Sequence, residues 1–213
     1  MKKLIFVEGL WSTGKSYFVN HVKSLLKPED KVIIYDSLTL RNLESIRHSA
    51  YTIYPKVYKK DMMFDRSPVT LKVIADRDIG IYKNPSVSPD YWERYYSEWV
   101  ESLKELERDI TFIYFRPFDS TGHIHDDVLK YVINYKKSDL MIDPDKIDEK
   151  RLTWVHEKTC KEINTLYKNL KPNFDFYQVE FKDTQDAVDV LQYEQFLPSL
   201  GKYQENLNHL RSI

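Results

Sequence analysis

The chain has 213 residues, with 32 Lys and Arg against 33 Asp and Glu and a formal net charge of −1, so it lacks the basic excess that would hold a nucleic-acid backbone across its surface. That length suits one ordinary domain, long enough to bury a full core without a second unit. Cys160 is the single cysteine, which excludes an internal disulfide; with no apolar run long enough to cross a bilayer, the expected setting is soluble, reducing and cytoplasmic, with no membrane partner.

Leu4–Val7 reads as a short buried strand, and Ser16–Leu26 as a helix with Phe18, Val19, Val22, Leu25 and Leu26 at helical spacing. Between them lies Gly9-Leu10-Trp11-Ser12-Thr13-Gly14-Lys15-Ser16, a glycine, four residues and Gly-Lys-Ser, which in a strand–loop–helix context is a phosphate-binding loop. The glycines let backbone amides face a polyphosphate with no Cβ in the way. Lys15 adds a point charge for the β and γ phosphates, and the Ser16 hydroxyl is placed to ligate Mg2+. The expected donor-binding set is Gly9, Ser12, Thr13, Gly14, Lys15, Ser16 and Tyr17, with the helix N-terminus facing the anion.

Lys27–Asp30 breaks the helix, and Val32–Tyr35 forms a second strand ending in Asp36, at the strand edge where open α/β sheets bind ligands. Asp36 suits a general base or a helix cap. Leu38–Tyr58 is expected to be helical with an interruption near Pro55. Its run of Tyr51, Tyr54, Lys56, Tyr58, Lys59 and Lys60 offers faces for stacking bases, or the tyrosines of an amphipathic helix resting on the core.

Met62–Phe64 reads as a third strand ending in Asp65-Arg66-Ser67-Pro68. An apolar strand closing on an acid is the Walker B arrangement, which puts Asp65 beside the Mg2+ shell. Arg66 directly after it can hold phosphate charge in a transition state; the plainer reading is a surface ion pair. Pro68–Arg77 is expected to be helical and residues 78–87 a loop. Ser88-Pro89-Asp90 then opens a helix whose stripe of Trp92, Tyr95, Tyr96, Trp99, Val100, Leu103 and Leu106 reads as core.

Thr111–Phe115 is the fourth strand and Asp126–Tyr135 a helix, with His123 and His125 between them read as surface rather than metal ligands. Lys136–Arg151 is polar and turn-rich, either a lid over the donor or a solvated connection. Leu152–Leu170, Phe174–Phe181 and Thr184–Leu197 follow as helix, strand and helix. Five strands separated by helices make an α/β protein, a three-layer α/β/α sandwich on a five-stranded parallel sheet, with the loop, Asp36 and Asp65 on one edge.

These residues resemble the P-loop kinases that include the deoxynucleoside and thymidylate kinases. Glu8-Gly9 ahead of Gly14-Lys15-Ser16 is similar to that family's loop, and Asp65-Arg66-Ser67 to its strand end. Tyr96-Ser97-Glu98-Trp99 resembles its aromatic helix segment, and Ile113-Tyr114-Phe115 its fourth strand. The likeness spans most of residues 3–197. Two features depart from it: Trp11 stands where thymidylate kinases carry an acid, and the 136–151 segment holds lysines and Arg151 in place of several arginines.

The resemblance implies one P-loop kinase domain over residues 1–213, a candidate lid at 136–151, and ATP and Mg2+ as cofactors. It implies transfer to a (deoxy)nucleoside or, next, a nucleoside monophosphate. Lys15, Asp36 and Arg66 become the catalytic candidates, Asp36 taking the proton from a 5′ hydroxyl, and Ser16 and Asp65 the metal ligands. The partner is then a small nucleoside or nucleotide acceptor, and a homodimer is compatible. Two further classes stay open: a P-loop ATP-binding protein that signals without efficient turnover, and a 5′ kinase of nucleic-acid ends.

Overall fold

The computed structural model describes residues 2–27, 30–36, 46, 48–75, 89–136, 148–170, 173–193 and 196. Strands β1 (Lys2–Gly9), β2 (Val32–Tyr35), β3 (Asp61–Asp65), β4 (Arg108–Phe115) and β5 (Phe174–Val179) form one sheet in the order β2-β3-β1-β4-β5. Every pairing is parallel, with Phe6 opposite both Phe64 and Phe112. Buried on both faces, the central strands are continuous apolar runs, as parallel sheets require.

Alternate residues divide between two cores. Leu4, Phe6, Phe64 and Phe112 pack on one face against α4 (Pro89–Lys104) and α6 (Glu149–Leu170). The Phe6 ring lies 5.2 Å from Phe64 and 5.0 Å from Phe112, with Trp99 of α4 edge-on at 5.6 Å. Ile5, Val7, Met63 and Ile113 pack on the other face against α1 (Lys15–Leu25) and α7 (Thr184–Tyr193). This is the three-layer α/β/α architecture read from the strand and helix pattern, and the stripe Trp92, Tyr95, Tyr96 and Trp99 is core.

Chain order explains where a ligand can sit. From β1 the chain passes over β3 to reach β2, whereas from β3 it passes over β1 to reach β4. Right-handed crossovers running in opposite directions put their helices on opposite faces and open a crevice beyond the carboxyl end of β1. A third cluster covers part of that edge: Val73 and Ile74 of α3 (Pro68–Ala75), Val128 and Val132 of α5 (Asp126–Lys136), and Leu152 and Val155 of α6. Leu10 of the phosphate loop is buried in it, so the loop is anchored by its own side chain.

The segment around Pro55 differs from expectation. Ser49–Ile53 is a π-helical turn that runs into the short helix α2 (Tyr54–Val57), with Pro55 in its first turn. Proline fixes φ near the helical value but donates no hydrogen bond, and the turn that precedes it is the widened one. Residues 37–45 and 47, the expected loop at 78–87, Ser88, residues 137–147 of the candidate lid and the tail after Pro198 lie outside the described residues. Among the described residues no helix is long and apolar enough to cross a membrane.

Candidate active site

The phosphate loop closes with Gly14 in a left-handed conformation, φ 108°, at the N-terminus of α1. That terminus has no side-chain cap and no acid in its first turn, so its first amides and the positive end of its dipole are left for an anion. The loop is tied internally: the Thr13 hydroxyl donates to the Leu10 carbonyl at 2.9 Å, and the Lys15 ammonium donates to the same carbonyl and to Thr13 Oγ1 at 3.4 Å.

A cleft of about 580 Å3 opens over the loop, within the range of small-ligand sites. Ser12, Gly14, Lys15, Ser16 and Tyr17 line it together with Arg66 and Trp11. Opposite them stand Tyr131 of α5 and Lys182 and Thr184 after β5. The Lys182 amide donates to the Thr13 carbonyl at 3.1 Å, and its ammonium pairs with Asp127 at 2.7 Å. A Cβ on Gly14 would sit 3.0 Å from Lys182 Cα, so glycine is what lets this second loop brace the first. Lys182, Thr184 and Tyr131 belong to no local motif. Their one sequence signal is position, Lys182 and Thr184 just past the carboxyl end of a parallel strand.

Asp65 and Arg66 face the loop. The Ser16 hydroxyl donates to Asp65 Oδ2 at 2.7 Å, while Asp65 Oδ1 is buried with no hydrogen-bond partner among the described residues. A carboxylate 3 % exposed with one oxygen unengaged is costly in isolation. Set beside a serine hydroxyl at the mouth of a phosphate loop, it is a donor pair that fits a hard, oxygen-seeking cation such as Mg2+. Among the described residues there is no group of three or more His, Cys, Asp or Glu side chains that could hold a metal ion. His123 pairs with Glu149 at 3.0 Å.

Arg66 has φ 87°, outside the usual range for a side-chain-bearing residue. Its Nη1 donates to the Gly9 carbonyl at 3.3 Å, and the guanidinium lies 5.9 Å from the Trp11 ring centre. Glu8, fully buried at the end of β1, accepts from the Ser67 amide at 2.6 Å and from the Ser67 and Thr70 hydroxyls. Burial pushes the Glu8 pKa up, against the hydrogen bonds from Ser67 and Thr70 and the charge of Arg66.

Asp36 is placed differently. It follows β2 on the α1 side of the sheet, its side chain is 75 % exposed, and it pairs with Lys23 of α1. It is not among the residues lining the cleft. In the Tyr and Lys run, Tyr51 is buried and donates to the Arg66 carbonyl at 3.0 Å, so it is no surface platform for bases.

Burial, reinforced by Arg66, lowers the Lys15 pKa to about 7, with Asp65 and Glu8 opposing. A polyphosphate beside the ammonium favours its charged form, so binding takes up protons wherever the free lysine is partly neutral, from about pH 7 upward. Calorimetric ATP titrations at pH 8, in buffers of contrasting ionisation enthalpy, should show net proton uptake, with affinity falling as pH rises past 7. The same titrations on Lys15→Arg, charged throughout, should show none beyond that of the nucleotide itself.

No protein-family model and no curated protein sequence matches the chain. Among solved structures it is similar to a polyphosphate kinase 2 from Arthrobacter aurescens TC1, with TM-score 0.54 and 14 % identity over 95 % of this chain and 69 % of that one. It is also similar to a thymidylate kinase from Candida albicans, with TM-score 0.50 and 11 % identity over 92 % of this chain and 93 % of that one. Identities this low speak to fold alone: the chain has the parallel α/β fold seen in P-loop kinases, with its candidate site at the edge where the phosphate loop ends β1.

Proposed function

We propose that the protein is an ATP- and Mg2+-dependent kinase that transfers a phosphoryl group to the hydroxyl of a (deoxy)nucleoside. The observation that carries this reading is the pair of Ser16 Oγ and Asp65 at 2.7 Å, with Asp65 Oδ1 lacking a hydrogen-bond partner among the described residues, beside a cleft that Lys15, Ser16 and Arg66 line. When bound, Mg2+ would supply charge neutralisation across the β and γ phosphates. The chain's own residues do the rest. Backbone amides from Gly9 to Ser16 and the α1 terminus hold and orient the donor, Lys15 carries charge to its terminal phosphates, and Arg66 meets charge on the phosphoryl group between donor and acceptor.

The position of Asp36 favours a second reading. A hydroxyl acceptor needs a base, whereas a nucleoside monophosphate arrives ionised and needs cations; Asp36 is paired with Lys23 outside the cleft. ADP release measured against panels of nucleosides and nucleoside monophosphates separates the two. Turnover with nucleosides that collapses in Asp36→Asn supports the first reading. Turnover confined to monophosphates and indifferent to Asp36→Asn supports the second. Tight ATP binding with no turnover on either panel removes both of these readings and leaves a P-loop protein that binds without transferring or a 5′ kinase of nucleic-acid ends, which ADP release with oligonucleotides separates.

A further inference from the structure

Resting on the kinase reading, we propose that Glu8 and Tyr51 are positioning residues which hold the Asp65–Ser67 turn so that Arg66 faces the phosphate loop. The backbone around Arg66 is held at three polar atoms. Its own amide donates to the Val7 carbonyl at 2.9 Å, its carbonyl accepts the Tyr51 hydroxyl at 3.0 Å, and the next amide, Ser67 N–H, donates to Glu8 Oε1 at 2.6 Å. The grip matters because φ of Arg66 is 87°, a conformation a side-chain-bearing residue leaves unless its surroundings over-determine it.

Released, φ returns to negative values and the guanidinium swings away from the Gly9 carbonyl it now reaches at 3.3 Å. Glu8 and Tyr51 reach the turn from two different elements. Glu8 is the last residue but one of β1, the strand that leads into the phosphate loop, and its second oxygen takes the Thr70 hydroxyl at the start of α3. Tyr51 rises from the π-helical turn, buried, with its ring 5.2 Å from Phe64. A buried carboxylate is costly unless its oxygens are engaged, and here each takes at least one donor. The phosphate loop and its arginine therefore share one support, so their spacing is fixed before any ligand arrives.

Two readouts test this. The Arg66 side-chain Nε–H resonance, assigned by its loss in Arg66→Ala, reports where the guanidinium sits relative to the Trp11 ring. Tyr51→Phe keeps the buried ring and deletes one hydroxyl, and it should shift that resonance. Glu8→Ala should shift it too, and Glu8→Gln, which keeps an oxygen toward Ser67, should bring it back.

In kinetics, Tyr51→Phe should lower kcat roughly tenfold while ATP affinity changes less than about threefold. In an Arg66→Ala background it should have no further effect on kcat. An unmoved resonance in Tyr51→Phe, or an equal loss of kcat with and without Arg66, overturns the proposal. If the wild type turns over no acceptor, the kinase reading fails, and the resonance alone decides whether Glu8 and Tyr51 hold the turn.

Discussion

Arg66→Ala should lower the rate of phosphoryl transfer by roughly 10³-fold while leaving ATP affinity within about an order of magnitude. The split follows from where the guanidinium sits. It is turned toward the Gly9 carbonyl and the Trp11 ring, while under the proposed function Lys15 and the amides at the start of α1 serve the donor's ground state. A cation beside the loop matters most when charge spreads over the transferring group, and interactions confined to that moment appear in kcat.

Arg66→Lys keeps the charge without the planar fork and should recover only part of the loss. Removing Arg66 also removes the charge that helps lower the Lys15 pKa, so proton uptake on ATP binding at pH 8 should shrink in Arg66→Ala. Strain gives an independent check: at φ 87° Gly is at ease and Ala is not, so Arg66→Gly should be more stable to denaturant than Arg66→Ala by about 1 kcal/mol. Steady-state kinetics with ATP and the best acceptor, beside calorimetric ATP binding, measures the split. A kcat within tenfold of wild type would remove Arg66 from the chemistry.

The sequence made this part of the site readable because its signals are local. Gly9 to Ser16 sit between a four-residue apolar run and a helical stripe, and Asp65 closes the apolar stretch of β3; parallel pairing then aligns Asp65 with Val7, two residues before Gly9. The sandwich was readable for the same reason, since strands buried on both faces are unbroken apolar runs. What was not readable depends on contacts between distant segments. Lys182 and Tyr131 reach the cleft from the far end of the sheet and from α5, and no spacing connects them to the loop.

Tyr51 looks in sequence like any aromatic on an amphipathic helix, and only packing shows its hydroxyl on the Arg66 carbonyl. The π-helical turn that presents it has no compositional signature, because widening a helix by one residue per turn is a tertiary effect. Asp36 marks where position at a strand edge and engagement in the site part company. It stands at a ligand-binding edge, yet the α1 stripe brings Lys23 within reach of its carboxylate.

Gly9→Ala should cost about 2–4 kcal/mol of stability and weaken ATP binding by roughly 100-fold or more, two effects with one steric cause. Gly9 has φ 140°, and a Cβ built on it would lie 2.6 Å from the Phe115 carbonyl oxygen, 2.9 Å from Thr13 Oγ1 and 3.3 Å from Phe115 Cβ. None of these neighbours yields cheaply. The Phe115 oxygen is main chain of β4, in register with Gly9 across the sheet, and Phe115 is buried. Thr13 Oγ1 is held on the Leu10 carbonyl and receives Lys15.

Relief must therefore come from the loop backbone, whose amides then no longer converge on the anion. Gly122→Ala separates backbone strain from steric clash: its φ is 87° but nothing lies within 4 Å of the added carbon, so it should cost about 1 kcal/mol and leave ATP affinity as it was. Chemical denaturation and ATP calorimetry on the two variants give the comparison. If Gly9→Ala binds ATP as tightly as Gly122→Ala does, close approach of the main chain at residue 9 is not what makes this loop a phosphate site.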